Sequence, residues 1–309
     1  MMPIELREKN GLGEETPAHE ASRSMAERCQ KPDHRRVGNW MARRVTRPMA
    51  LSVTRFALPL GVTAHAATFT AWAVGLAAAV AFGFGGVVGW LVGAAALELW
   101  YLLDHVDGQL ARYHRTESLD GAALDYLMHH SLNLLVPFGI GWGMADGGRG
   151  WILLGLGLGM GLLMLGLMND VRYKTFIKRL KRLHGELRVV GGGGGRPEPQ
   201  AAPPKDIVHR LAWLVRKACE GHVVMNTLAV LALVQLVLAD HLLILGRVYL
   251  AIMAPAAMLL AAWTIVRTLR RQEAEDEFAA WFRLPSDTDL EFRDGWWHVH
   301  HTLLHAPKD

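Results

Sequence analysis

Four ionisable residues stand in two pairs at helical spacing. Asp104 and Asp107 are three residues apart, and Asp125 and His129 are four apart, so each pair shares one face of a helix. His114, Arg115, Glu117 and Ser118 lie in the gap between the pairs, and both flanks are strongly apolar. Two helices meeting at a membrane surface would bring three carboxylates and an imidazole together. Ionisable groups at that depth are costly, and they mark functional sites. Carboxylates clustered without thiolates select hard cations, Mg²⁺ or Mn²⁺. Such a cation holds a pyrophosphate, neutralises its oxygens and stabilises a leaving phosphate. Gly108 and Ala111 add little bulk beside the first pair, so a nucleotide could approach the helix backbone. Arg112, one turn beyond Gly108, can hydrogen-bond a phosphate. Gly121 and Asp125 repeat the arrangement across the gap. The same small residues would also serve helix packing, and the carboxylates favour a metal–nucleotide site.

The stretch from Asp104 to His129 resembles the signature of the CDP-alcohol phosphotransferases. The family pattern is D-x-x-D-G-x-x-A-R, then, after about eight residues, G-x-x-x-D-x-x-x-D. Asp104, Asp107, Gly108, Ala111, Arg112, Gly121 and Asp125 fall on it, and His129 stands where the family has its last aspartate. The resemblance implies a six-helix membrane fold in which Asp104, Asp107 and Asp125 bind the divalent metal, Mg²⁺ or Mn²⁺. Gly108, Ala111, Arg112 and Gly121 would line the nucleotide. The implied reaction is attack of an acceptor hydroxyl on the β-phosphorus of a CDP-alcohol, with release of CMP, in phospholipid or related lipid synthesis. Asp125 and His129 are then the catalytic candidates. The family's last aspartate ligates metal and acts as base; a neutral imidazole at 129 could take a proton near pH 7, although Mg²⁺ prefers oxygen. His130 and Asp120 are neighbouring alternatives.

Two weaker resemblances extend the match. Thr63–Thr68 resembles the family's T-P-N-x-x-T entry to the first span, with Ala64 and His65 in place of Pro and Asn. Thr63 and Thr68 are either nucleotide contacts or helix caps. The segment from Asn169 to Lys174 resembles the place where some relatives put basic residues for the acceptor. Arg172 and Lys174 either bind an acceptor phosphate or anchor the span in the interface. The implied partners are a CDP-alcohol donor, a hydroxyl acceptor and membrane lipids, with a homodimer left open. An intramembrane prenyltransferase also uses Asp-rich helices with Mg²⁺, but its two motifs lie far apart in sequence. A cation transporter or non-catalytic scaffold would explain His129, but not Gly108, Ala111 and Arg112 together.

The elements that must carry these residues read as an all-α integral membrane protein. The chain has 309 residues, of which 51% are hydrophobic and 20% charged, a mixture that fits membrane spans with polar extensions. Apolar windows near the roughly 17–25 residues needed to cross a bilayer recur at 66–84, 87–103, 124–144, 151–168, 223–239 and 242–265. About six transmembrane helices are therefore expected. Arg43, Arg44, Arg47 and Arg55 precede the first window, and Lys174, Lys178, Arg179, Lys181 and Arg182 follow the fourth. Arg267, Arg270 and Arg271 follow the sixth. By the positive-inside rule both termini and the Asp104–His129 site face the cytoplasm. The formal charge of +4 fits this bias and anionic lipid better than nucleic acid.

Residues 1–38 read as a disordered polar tail without a cleavable signal peptide. Trp40–Leu60 reads as an interfacial amphipathic segment that Pro48 breaks or starts. The membrane domain is expected over 39–271, with a flexible cytoplasmic linker at about 186–206. A cytoplasmic tail is expected over 272–309. Glycines 155, 157, 159, 161 and 166 read as close-packing positions. Cys29 and Cys219 lie in segments expected to be cytoplasmic, where a disulfide is not expected. A cysteine introduced into Gly191–Gly195 should react with a membrane-impermeant maleimide only from the cytoplasmic side, and labelling from outside would reverse the topology.

Overall fold

The computed structural model describes residues 25–31, 34, 38–184, 206–240, 242–282, 288–293 and 296–301. Most of the expected polar tail and of the glycine-rich linker lies outside the described residues. A π-helical turn at Ala42–Thr46 runs directly into α1 (Arg47–Ala57). There follow α2 (Ala64–Gly83), α3 (Gly86–His114), α4 (Leu119–Trp142), α5 (Gly150–Leu180), α6 (Ile207–Ala218), α7 (Gly221–Val237), α8 (Ile244–Arg271) and α9 (Glu273–Phe282). Every apolar window read from the sequence sits on one of these helices.

The chain is an integral membrane protein by the character of its helices. Helices α2, α3, α5 and α8 are each long and apolar enough to cross a bilayer. Helices α6 and α7 pass the same test only together, and they meet at an angle of 70°. Helix α4 is long enough, at 24 residues, but Asp120, Asp125, His129, His130 and Asn133 dilute its apolar content.

β1 (Leu183–His184), β2 (Thr288–Arg293) and β3 (Trp296–His301) form a small sheet in the order β1-β3-β2. β2 and β3 are antiparallel, with Arg293 opposite Trp296, and β1 runs parallel to β3.

Two compact units are distinguished. The first comprises the described residues up to Trp72 together with Leu99–Asp125. Its core is Ala50 and Ala57 from α1, Ala67 from α2, and Val106 and Leu110 from α3, with Val53, Leu58, Val62 and Leu102 packed around them. Pro48 follows just after the π-helical turn, where the wider turn accommodates its missing N–H. Thr54 of α1 donates to Gln109 Oε1 of α3 at 2.8 Å, and Gln109 Nε2 donates to the Arg47 carbonyl at 3.2 Å. Both side chains are buried. That polar link therefore satisfies groups that would otherwise be costly in an apolar core.

The second unit comprises Ala73–Glu98 and the residues from Tyr126 onward. Its helices approach through small residues. A Cβ on Gly139 of α4 would overlap the Ala79 carbonyl of α2. A Cβ on Gly155 of α5 would meet the Pro137 carbonyl at 2.5 Å, and one on Gly161 would meet Ala257 Cβ at 2.8 Å. Gly159 and Gly166 are similarly closed by Leu134 and His130. Gly157 has only ordinary contact, 3.9 Å from Ala254 Cβ. The glycine stripe of α5 therefore packs as read, with one looser position. Gly161→Ala should destabilise the protein by about 1–3 kcal/mol through overpacking, whereas Gly157→Ala should be neutral or stabilising. Thermal unfolding in detergent compares the two, and equal midpoints would refute the packing assignment.

Candidate functional site

The two halves of the motif lie on consecutive helices joined by a short, well-punctuated turn. Helix α3 ends where Arg115 takes a left-handed conformation, φ 56°. Its N–H donates to the Arg112 carbonyl, and Thr116 N–H donates to the Ala111 carbonyl at 2.9 Å. Ser118 then opens α4, its hydroxyl accepting from Gly121 N–H at 3.0 Å, which satisfies one of the helix's orphan donors. The gap between Arg112 and Gly121 is thus one helix stop and one helix start. Asp104 precedes Arg115 by eleven residues and Asp125 follows it by ten, so the turn sets them at matching heights.

The result is a compact ligand set. One oxygen each from Asp104 and Asp125 and one ring nitrogen from His129 all lie within 4.8 Å of one another. All three residues are partly buried. His129 follows Asp125 by one turn of the same unbroken helix, and helix geometry alone sets their relation.

Asp107 is held by α2 through one oxygen. Thr68 Oγ1 of α2 donates to Asp107 Oδ2 at 2.8 Å, and both side chains are buried. Thr68 is also 3.1 Å from the Ala64 carbonyl. Thr63 caps α2, its hydroxyl accepting from Ala66 N–H at 3.2 Å. The two threonines of the entry motif therefore have different jobs in the fold, one as a cap and one on the signature carboxylate. His105 lies 3.8 Å from Asp104, and its Nδ1 is 2.9 Å from the Tyr101 carbonyl. A carbonyl only accepts, so Nδ1 carries the proton there.

Arg112 lies over Gly108. A Cβ at 108 would sit 3.2 and 3.3 Å from its two terminal nitrogens, so the glycine is what admits the guanidinium. Arg112 Nε donates to the Cys29 carbonyl at 2.7 Å. Arg28 stacks on Tyr113, 4.3 Å from the ring centre, and donates to the Tyr113 carbonyl at 3.1 Å. A short piece of the region read as disordered tail thus grips the end of α3. Burial pushes the Cys29 thiol above its ordinary range, against the opposing pull of Arg112, Arg28 and Arg55. Ala111 is partly buried on the same helix. At Gly121 a Cβ would face His65 Nε2 at 3.7 Å, so His65, to which the sequence reading gave no role, borders the second half of the motif.

The remaining candidates lie in the second unit. Arg172 pairs with Glu277 of α9 at 3.1 Å and donates to Asn169 Oδ1 at 3.0 Å. Lys174 is exposed. His130 Nε2 and Asp170 Oδ2 are 2.6 Å apart, a hydrogen-bond contact between α4 and α5. His130 was named in the sequence only as a neighbour of His129. Its partner lies forty residues away, and no local pattern announces it.

No family model matches this chain, and neither does any curated protein. Among solved structures it is similar to the crystal structure of Mycobacterium tuberculosis phosphatidylinositol phosphate synthase with CDP-DAG bound. The identity is 18%, the TM-score is 0.42, and the match covers 75% of this chain and 93% of the other.

The geometry permits a direct measurement. Asp104→Asn, Asp125→Asn and His129→Ala each remove a ligand from the set. Each should weaken Mn²⁺ binding by more than the roughly 10–100-fold typical of groups behind the ligands. Thr68→Val, which only releases Asp107, should weaken it less. Mn²⁺ titration followed by electron paramagnetic resonance reads both, and unchanged affinity in the three ligand variants would remove the centre.

Proposed function

We propose that this protein transfers a phospho-alcohol group from a CDP-alcohol to an acceptor hydroxyl with release of CMP, in phospholipid or related lipid synthesis. The observation that carries this reading is the convergence of Asp104, Asp125 and His129 within 4.8 Å, on residues whose spacing resembles the CDP-alcohol phosphotransferase signature. Two carboxylates and an imidazole suit a divalent cation, with oxygen favouring Mg²⁺ or Mn²⁺ and nitrogen favouring the softer of the two. Asp104, Asp125 and His129 would hold it. When bound, such a cation neutralises diphosphate oxygens and eases departure of CMP.

The protein's own groups do the rest. Arg112, lying over Gly108 with its Nε occupied by the Cys29 carbonyl, keeps two terminal nitrogens to donate to a phosphate oxygen. Asp107, oriented by Thr68, adds negative charge on the Asp104 face of α3. Gly121 keeps the second half of the motif free of a side chain between Ser118 and His65. His129 occupies the base position of the pattern, and one imidazole nitrogen serves either as ligand or as proton acceptor. Asp125, one turn away, is the other group that can take the acceptor's proton. Arg172 is already matched by Glu277, which leaves Lys174 as the more available cation for an anionic acceptor. The positive-inside bias of the sequence supports a site on the cytoplasmic leaflet.

The test is CMP release from a panel of CDP-alcohols by the purified protein in lipid vesicles with Mg²⁺ or Mn²⁺. Asp104→Asn should abolish it. His129→Ala should lose about 10²–10⁴-fold, the usual reach of general acid–base catalysis. His129→Asp should keep measurable turnover, since it restores an oxygen ligand and a base together. Mn²⁺ binding without CMP release from any donor would instead favour a non-catalytic cation-binding protein.

A further inference from the structure

Helices α6 and α7 together have the length and composition of one span, yet they meet at 70°. The contacts of α6 say which way it lies. His209 stacks edge-on against Trp263 of α8, ring centres 5.9 Å apart. Arg216 donates to Thr264 Oγ1 of α8 at 2.9 Å. His209 and Arg216 are seven residues apart, about 10 Å along a helix axis. Their partners are consecutive residues of α8. Two helices running side by side would meet at points equally separated on both. Helix α6 therefore crosses α8 at one level and does not run along it.

That level carries the marks of a membrane–water boundary. Trp263 sits under Arg267, 5.0 Å from the guanidinium carbon, and Trp213 is 6.0 Å from Lys217 Nζ. Tryptophans beside basic residues are typical of the headgroup zone. Arg270 and Arg271 close the last turn of α8 just beyond.

The faces of α6 divide accordingly. At about 100° per residue, His209, Trp213 and Arg216 share the side that meets α8. Ile207, Leu211 and Leu214 fall together on the opposite side, with Val208 at its edge. These four apolar side chains are 50–76% exposed. Arg210 and Lys217 flank them. Exposed apolar side chains on α7 and α8 include Leu233 and Leu259. Burying this helix across the bilayer would take His209, Arg210, Arg216 and Lys217 into hydrocarbon, which is costly. Helix α7 alone has 17 residues, the lower end of the roughly 17–25 that cross a bilayer.

We infer that α6 is an interfacial helix that lies in the plane of the membrane, its Ile207–Leu211–Leu214 face in the headgroup–acyl boundary of the leaflet at the C-terminal end of α8, and that α7 alone forms the fifth span. The occupant of this face is lipid. This assignment does not depend on the proposed reaction.

The test uses the full chain with Cys29→Ala and Cys219→Ala, and single cysteines at Ile207, Arg210, Leu211, Leu214 and, as a depth marker, Leu233. Each is labelled with bimane in phosphatidylcholine vesicles carrying a nitroxide either near the headgroup or deep in the acyl chain. All labelled side chains are exposed, so no packed contact is lost. Labels at 207, 211 and 214 should be quenched severalfold more by the shallow nitroxide, the label at 210 by aqueous iodide, and the label at 233 by the deep nitroxide. Deep quenching at 211 and 214 would make α6 half of a span. Quenching there by iodide alone would make it a solvent helix. Either result overturns the inference.

Discussion

Two carboxylates placed within 4.8 Å of each other beside an imidazole repel unless positive charge lies among them, and the apolar helices around them screen that repulsion poorly. Much of the first unit can be understood as managing this constraint. The turn at Arg115 and the Ser118 cap bring α3 and α4 back on each other at the height that sets Asp104 against Asp125. Thr68 donates to one oxygen of Asp107, a third carboxylate on the same helix as Asp104. Arg112 supplies nearby positive charge and is itself held by the Cys29 carbonyl. A divalent cation would answer the remaining repulsion, in keeping with the proposed chemistry.

The second unit solves a different problem. Lipid supplies no hydrophobic drive for helix association, so its helices depend on close contact. Gly139 against Ala79, Gly155 against Pro137 and Gly161 against Ala257 let backbones approach. The ends of the helices are then tied by charge. Glu273, Glu275 and Glu277 of α9 pair with Arg267, Arg179 and Arg172, and Phe278 is buried against Phe176. Basic residues expected from the positive-inside pattern are thus also the docking points of an acidic helix. Exposed ion pairs contribute little individually, and the buried Phe278 gives this helix its apolar anchor.

The sequence by itself determined the helices and the motif. Span-length apolar windows and their flanking arginines follow from the cost of placing polar groups in hydrocarbon, a cost that local composition records. The spacing of Asp104, Asp107, Asp125 and His129 on helical faces is likewise local, because 3.6 residues make a turn. The α5 glycines as packing positions were legible for the same reason. Only the tertiary structure decided which groups meet. It turned Asp107 toward Thr68, joined His129 to Asp104 and Asp125, drew Met25–Lys31 onto Arg112, matched Arg172 with Glu277, and paired His130 with Asp170. It also folded part of the expected tail into a small sheet and laid α6 across α8. These pairings join residues up to 105 positions apart, and side-chain direction at such separation is set by how helices cross, which no periodicity along one chain segment encodes.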